Sequence, residues 1–136
     1  MDADGEFLEW FETTWHDAEV ALHNGDPGPR DETWSTHEPI TVFGAWMNAT
    51  TSDEARAVFQ RLAESFSDSQ EARIELIAHG VSGDLAYTAH REHTTTYVDG
   101  ERREYVLRTT QVYRRENGTW KVAHRHADNE ALMPKP

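Results

Sequence analysis

The spacing of apolar residues along the chain separates a helical first half from a strand-like second half. Over residues 4–24, large apolar residues recur every three or four positions, which predicts a helix with one buried face. This stripe comprises Phe7, Phe11, Trp15, Ala18 and Leu22. Gly25 comes just after it and suits the left-handed conformation in which many helices end.

A second apolar stripe follows a helix-start signal in the middle of the chain. Thr51 and Glu54 have the three-residue spacing of a capping box, which predicts a helix N-terminus. Residues 67–69 are expected to close this helix. Between the two helices, residues 26–29 predict a turn, Pro29 to about residue 34 or 35 a short helix, and residues 40–46 a strand. The second stripe comprises Ala55, Val58, Phe59, Leu62 and Phe66.

The second half of the chain is rich in threonine, tyrosine and valine, which favour strands. Strands are predicted over residues 72–79, 85–98, 104–115 and 120–128. A turn at 82–84, an Asp-Gly pair at 99–100 and an Asn-Gly pair at 117–118 join them as consecutive hairpins. Helices that precede a run of long strands predict an α+β fold with helices on one face of a curled sheet.

Composition and charge narrow the classes of function. A chain of 136 residues suits one domain, and the absence of cysteine excludes disulfides, zinc–thiolate centres and thiol nucleophiles. The net charge of −12 opposes binding to nucleic acid or anionic membranes, so neither partner is expected. No apolar run approaches the ~20 residues of a membrane span, and the acidic N-terminus lacks a secretory signal. A cytoplasmic location is expected, in a salt-rich cell or in one with a GC-rich genome.

Four segments resemble the nuclear transport factor 2-like superfamily, which includes SnoaL-like and ketosteroid-isomerase-like proteins. The last segment, Asn-Gly-Thr-Trp-Lys-Val-Ala-His-Arg-His at 117–126, is the most specific, and it is also similar to the association domain of calcium/calmodulin-dependent kinase. The others are Gly-Asp-Pro at 25–27, Ser-Gly-Asp-Leu-Ala-Tyr at 82–87 and Leu-Arg-Thr-Thr-Gln-Val-Tyr-Arg-Arg at 107–115.

The resemblance implies a cystatin-like α+β roll: a cone-shaped curved antiparallel sheet packed against about three N-terminal helices. Residues 1–130 are expected to form this single SnoaL-like domain, and residues 131–136 a C-terminal tail. It further implies a pocket inside the cone and a homodimer formed through the sheet. It implies no single reaction, because the superfamily contains isomerases, cyclases, dehydratases and oligomerisation modules.

Two functions therefore stay open at the level of sequence. The first is binding of a small, partly apolar organic molecule, with or without cofactor-independent acid–base chemistry of the isomerase, dehydratase or cyclase type. The second is a non-catalytic ligand-binding or oligomerisation module like the kinase association domain. No cofactor is expected in either case.

Strand alternation predicts which residues of the last strand line the pocket. Side chains two positions apart share a face, so Trp120 and Val122 share theirs with His124, His126 and Asp128. The bulky apolar pair marks this face as the inward one. His124 and His126 are the candidate catalytic residues, because the unperturbed pKa of histidine lies near neutrality.

Neighbouring strands and helices supply the candidate ligand-binding residues. The kinase likeness places His93 and Gln111 where that family has pocket arginines, so the polar character of its pocket is not expected to carry over. The other candidates share a strand face with one of these two, or cover the pocket from the first helix or the first strand. Together the candidates are Trp15, Trp46, Tyr87, Arg91, His93, Gln111 and Tyr113.

Other interpretations of the histidine pair remain open. Histidines one residue apart on a strand are able to ligate a metal, with a third ligand from His93, Asp128 or His90, although no metal is expected. Alternatively, both are buried polar residues that bond to tyrosine, glutamine or water. A catalytic carboxylate would come from Asp128, Asp17 or Glu92.

Some charged residues are expected to take no part in the site. His23 and His37 lie near helix ends and loops, where solvent is expected to surround them. The arginines expected to face solvent or a dimer partner are Arg108, Arg114 and Arg125.

Among the tryptophans, Trp46 is the one most favoured as a ligand contact, since it follows a predicted strand end.

Overall fold

Three helices precede the long strands in the computed structural model, which describes residues 2–131. The first runs through α1 (Ala3–Trp10), a π-helical turn (Phe11–Trp15) and α2 (His16–Leu22). Its start is capped by the Asp2 side chain, which accepts a hydrogen bond from the Gly5 N–H at 2.8 Å. Its end is followed by Gly25 at φ +90°, a conformation that glycine adopts at little cost.

Two shorter helices complete the helical layer: α3 (Gly28–Thr33) and α4 (Ser52–Ser65). At the start of α4, the Thr51 side chain accepts from the Glu54 N–H at 3.1 Å. The Glu54 carboxylate accepts in turn from the Thr50 N–H at 2.9 Å. The predicted helix start is therefore confirmed, with the returning hydrogen bond displaced by one residue.

A six-stranded curved sheet packs against these helices, which confirms the predicted α+β class. The last four strands form the predicted antiparallel meander, and β1 adds a parallel pairing with β6. The order across the sheet is β2-β1-β6-β5-β4-β3. The strands are β1 (Thr41–Phe43), β2 (Asn48–Ala49), β3 (Phe66–Ser82), β4 (Leu85–Val98), β5 (Glu101–Glu116) and β6 (Thr119–Asn129).

Several predicted strand boundaries are wrong; β5, for example, starts at Glu101 instead of residue 104. The strand predicted over 40–46 ends at Phe43, because the Gly44 N–H donates to the Met47 carbonyl at 3.0 Å and turns the chain back into β2. Phe66 begins β3 instead of ending the helix, and the strand predicted from residue 72 starts six residues earlier. Phe66 is buried beside Leu22 in the extended conformation, so its apolar character did not distinguish helix from strand.

The core lies between the first helix, α4 and the inner face of the sheet. Phe7 packs edge-on against Tyr113 at 4.9 Å and against Trp120 at 5.3 Å, which ties the helix to β5 and β6. Phe11 stacks on Trp15 at 4.7 Å, and both are buried. The predicted C-terminal tail begins at the last described residue, and its residues 132–136 lie outside the described part of the chain.

Candidate functional site

A β-bulge in β6 decides which of its side chains enter the cone. The register passes from Val112 opposite His124 to Tyr113 opposite Val122, so Ala123 has no partner on β5. Val122 and Ala123 are consecutive and both buried. An extra residue in one strand reverses the alternation beyond it, so the predicted facing of the last strand is wrong after this point.

The reversal places His124 and His126 on the outer face of the sheet. His124 is half-buried, with Nδ1 2.7 Å from Thr41 Oγ1, while His126 is exposed. The two rings stand edge-on to Phe43, at 5.8 and 5.7 Å between centroids. Burial, together with the neighbouring charge of His126, lowers the pKa of His124. The pair therefore does not line the interior of the cone.

The face of β4 that enters the cone is opposite to the predicted one. Tyr87 is 44% exposed, Arg91 Nε donates to Glu130 at 2.7 Å, and His93 Nε2 donates to Glu75 at 3.0 Å. All three side chains point away from the interior. The polar side chains on the other face of β4 are the buried ones, and they have partners within the fold. The buried face comprises Ala86, Thr88, His90, Glu92, Thr94 and Thr96.

A buried ion pair joins β4 to β6. The Arg125 guanidinium donates to both carboxylate oxygens of Glu92, each at 2.7 Å, and to Gln111 Oε1 at 3.0 Å. His90 Nε2 donates to Glu92 at 2.9 Å. Burial alone would favour the neutral acid, but the charge and hydrogen bonds of Arg125 hold the pKa of Glu92 well below its usual range. Arg125 is only 6% exposed, so its predicted position in solvent or at a dimer interface is wrong.

Gln111 and Tyr113 belong to the same buried network. Gln111 Nε2 donates to the Tyr113 hydroxyl at 2.6 Å, and that hydroxyl lies 2.7 Å from Thr88 Oγ1. Burial raises the pKa of Tyr113, so it is a neutral phenol at physiological pH. With Trp15, a fully buried residue of the first helix, these residues support the core and do not border the cavity described next.

A small cavity of ≈ 40 Å³ lies where α2, α3 and α4 meet the sheet. Trp46 and Met47, in the loop after β1, stand over it, and Trp46 is 54% exposed. The Trp46 ring is edge-on to Tyr105 at 5.5 Å, and burial raises the pKa of that tyrosine. Of the nine predicted site residues, Trp46 borders this cavity. Its apolar walls are Leu22, Val42, Val58, Leu62, Phe66 and Leu107.

His23 is a cavity residue that sequence reasoning placed in solvent. It is 7% exposed, and its ring stacks on Phe66 at 4.6 Å. Nδ1 lies 2.7 Å from the Glu19 backbone carbonyl, which only accepts, so Nδ1 carries the proton in the neutral ring. Nε2 then holds the free lone pair, and burial lowers the pKa of His23.

Arg30 is a second cavity residue that was not among the residues predicted from the sequence. It is 3% exposed, its guanidinium lies 5.0 Å from the centre of the Phe59 ring, and Nη2 donates to Glu19. Its Nε has no hydrogen-bond partner within residues 2–131. The sequence does carry a signal for its two neighbours, Glu19 and His23. They continue the four-residue spacing of the buried aromatic residues of the first helix, which predicts that they lie on the same buried side.

Within residues 2–131 no three metal-binding side chains lie close enough to hold an ion together. The described helices also include none with the length and apolar character that crossing a membrane requires.

Comparison with known proteins agrees with this architecture. Three solved structures each give a TM-score of 0.72. One is a nuclear transport factor 2-like superfamily protein from Salmonella enterica serovar Typhimurium, with 16% identity over 90% of this chain and 92% of that one. Another is a ketosteroid isomerase-like protein from Erwinia carotovora atroseptica, with 17% identity over 93% and 97%. The third is a proposed calcium/calmodulin-dependent protein kinase type II association domain from Thiobacillus denitrificans, with 14% identity over 87% and 93%.

The fold thus defines the class of protein, a nuclear transport factor 2-like α+β cone. A profile of the SnoaL-like domain matches residues 11–127, which is most of the chain. The chain therefore belongs to the SnoaL-like domain family, whose fold supports ligand binding or isomerase-type activity. The comparison with curated proteins gives no match.

Proposed function

We propose that the chain binds a small, partly apolar organic molecule in the cavity beneath Trp46. The observation that carries this proposal is the cavity itself, in which apolar walls converge on the polar side chains of His23, Arg30 and Tyr105 and on the buried ion pair that joins β4 to β6. Apolar walls with a few convergent polar groups are the usual composition of a small-molecule site. A volume of ≈ 40 Å³ accommodates roughly three water molecules, so a larger ligand requires Trp46 to move.

Acid–base chemistry in this cavity, where it occurs, is assigned to His23. His124 and His126 lie on the outer face, and every oxygen of Glu92 is already bonded to Arg125 or His90. The free lone pair of His23 Nε2 is suited to accept a proton from a bound molecule. The position of the group supports the assignment, and the reaction it would serve stays open.

Tryptophan fluorescence tests the binding proposal. The protein is titrated with phenol, cyclohexanone, butanamide and butyrate, and a ligand in the cavity is expected to shift or quench the emission of Trp46. Trp46→Phe should remove that signal. Trp10→Phe, which alters a half-buried tryptophan on α1, should retain it. A response of equal size in Trp46→Phe, or no response to any compound, contradicts the proposal.

A second candidate function, self-association through the outer sheet face, has its own supporting observation. Phe43, Ile77 and Tyr87 are exposed there, at 42%, 57% and 44%, beside the charged pair of Arg108 and Asp128. We propose that two copies pair through this face, because apolar side chains beside balanced charges suit an isologous interface. The expected cytoplasmic location of such a dimer stays a prediction.

Sedimentation velocity distinguishes monomer from dimer. Ile77→Lys places a charge among the exposed apolar side chains of the outer face, on the edge strand β3, and should shift the equilibrium toward monomer by at least tenfold. Gln60→Lys introduces the same charge on α4, away from this face, and should leave the equilibrium unchanged. A wild-type chain that stays monomeric at high micromolar concentration contradicts the dimer.

A further inference from the structure

The two buried arginines of the cone differ in how completely the protein satisfies them. Arg125 makes three hydrogen bonds, two to Glu92 and one to Gln111. Arg30 makes one, from Nη2 to Glu19, and its Nε has no partner within the described residues. A buried guanidinium with unused N–H groups is costly unless another acceptor reaches it. Arg30 borders the cavity, so a bound molecule is the acceptor that its position suits.

His23 stands at the same cavity with an unused lone pair. Its Nδ1–H is engaged by the Glu19 carbonyl and its ring is fixed on Phe66, so Nε2 is the nitrogen that is free to gain a proton. Burial keeps the pKa of His23 low in the empty protein, and its imidazole is therefore neutral near pH 7. The same ring would become cationic if a negative charge entered the cavity.

The charges that surround His23 come from several elements and balance in pairs. Glu19 on α2 is paired with Arg30 on α3, and Glu92 on β4 is paired with Arg125 on β6. Tyr105 on β5 is neutral, since burial raises its pKa, and α4 contributes apolar side chains to the cavity. An anion added to this balanced set leaves one unmatched negative charge, and protonation of His23 compensates it.

We propose that the cavity binds a short-chain carboxylate as its anion, with the carboxylate oxygens on Arg30 and one proton from solvent taken up at His23 Nε2. This inference rests on the proposed function of the same cavity. A carboxylate matches the planar fork of a guanidinium through charge-assisted hydrogen bonds, which a neutral group does not provide. Apolar walls beside the fork suit a short hydrocarbon chain.

The volume limits the size of the acid. Acetate, with four non-hydrogen atoms, is close in size to the roughly three water molecules that the cavity holds, and propionate and butyrate add one and two methylenes. A longer chain would have to displace Trp46, the exposed residue over the cavity. Affinity is expected to rise with each added methylene up to butyrate and to fall for branched or longer acids.

The coupling to His23 fixes the direction of the pH dependence. The bound carboxylate raises the pKa of His23, while burial lowers it in the free protein. Between the pKa of His23 in the free protein and its pKa in the complex, each anion binds together with a proton. The affinity therefore falls by up to tenfold for each unit by which the pH rises. Above the raised value the dependence disappears, because the complex then takes up no proton.

Calorimetric titration of the full chain with acetate, propionate and butyrate, and with their amides, tests the proposal. At each pH from 5.5 to 8 the titration is run in two buffers that contain neither carboxylate nor phosphate, and their different ionisation enthalpies report the number of protons taken up. The acids should bind at least tenfold more tightly than the amides, with proton uptake approaching one. His23→Gln should weaken binding of the acids most at pH 5.5 and abolish proton uptake, and His37→Gln, an exposed histidine, should change neither.

Arg30→Met should remove the preference for acid over amide. That variant leaves Glu19 buried without its partner, so the double variant Glu19→Gln/Arg30→Met, which removes both charges, provides the folded comparison. Amides that bind as tightly as acids, or unchanged proton uptake in His23→Gln, overturn the carboxylate inference while leaving the cavity a binding site. If neutral molecules shift the emission of Trp46 but the acids do not bind, the carboxylate inference is overturned and the proposed binding function is not. A cavity that takes no compound refutes the proposed function itself.

Discussion

Replacing Arg125 by methionine is expected to leave the Glu92 carboxylate buried without its main partner. The side chains are 7% and 6% exposed, and two hydrogen bonds of 2.7 Å join them. His90 would remain as the only polar neighbour that the structure places on this carboxylate within residues 2–131. The variant therefore tests whether the polar interior of the cone stabilises the fold through this ion pair.

The expected cost follows from what the substitution removes. Three hydrogen bonds from a charged group disappear, two to Glu92 and one to Gln111, and breaking a buried pair on one side costs about 3–5 kcal/mol. For a chain of 136 residues, an unfolding entropy of roughly 2.1 cal/mol/K per residue converts this loss to a fall in Tm of about 10–18 °C. Glu92→Leu/Arg125→Met, which removes both charges, should recover more than half of the loss.

The dependence on pH gives an independent check. In the wild type the pKa of Glu92 is depressed on folding, so its stabilising contribution is present above the unfolded pKa and is lost as pH falls through the folded one. In Arg125→Met, burial without the arginine raises that pKa above its unfolded value. The penalty of the variant is therefore full at neutral pH and shrinks toward pH 5, where the carboxyl is protonated.

Urea unfolding followed by tryptophan fluorescence, at pH 7.5 and at pH 5, measures both effects. Arg108→Met is the matched control, since it breaks the two-bond pair with Asp128 on the exposed face of the same sheet and should cost far less stability than Arg125→Met. Equal losses for Arg125→Met and Arg108→Met would refute the reasoning. So would a double variant as unstable as the single one, because the cost would then not come from an unpaired charge.

Two further predictions concern the outer face and the loop over the cavity. His124 should titrate below the usual histidine range in an NMR pH series, and His126→Ala should raise its pKa by removing a neighbouring charge; an unchanged value would contradict this coupling. Gly44→Ala should lower stability by about 1–3 kcal/mol in thermal unfolding, because a Cβ there would lie 2.7 Å from the Met47 carbonyl oxygen. Gly118→Ala, where a Cβ meets nothing but the φ is +79°, separates this clash from backbone strain.

Local signals in the sequence predicted the elements of this fold well. The capping residues of α4 and the Asp-Gly and Asn-Gly turns act over two to four positions, and β4 spans the predicted residues 85–98. The resemblance carried by residues 82–126 supplied the family, which the profile match confirms. The resemblance placed Gln111 inside the cone and alternation on β5 added Tyr113; both are buried, since the extra residue of the bulge lies on β6 and leaves the alternation of β5 intact.

The candidate site was harder to predict, because its residues meet through the fold. On β4 both faces carry polar side chains, so the pattern gave no hydrophobic contrast between them. On the inner face the buried Glu92 is paired with Arg125, which lies thirty-three positions away in the sequence. His23 and Arg30 become cavity residues when the first helix and α3 pack together around Glu19. The four-residue spacing of Glu19 and His23 is a local signal for the first contact, but the contact of Arg30 with Glu19 has none.

By itself, then, the sequence determined the order of the helices and long strands and the hairpins, because those depend on short-range spacing, and its resemblance to known proteins supplied the family. The tertiary structure alone decided the facing of the last strand. The single unpaired residue Ala123 rotates everything beyond it, turning His124 and His126 outward and Arg125 inward. Parity counting assumes an uninterrupted ladder, and a bulge is stabilised by packing on both strands, which the sequence of one strand does not report.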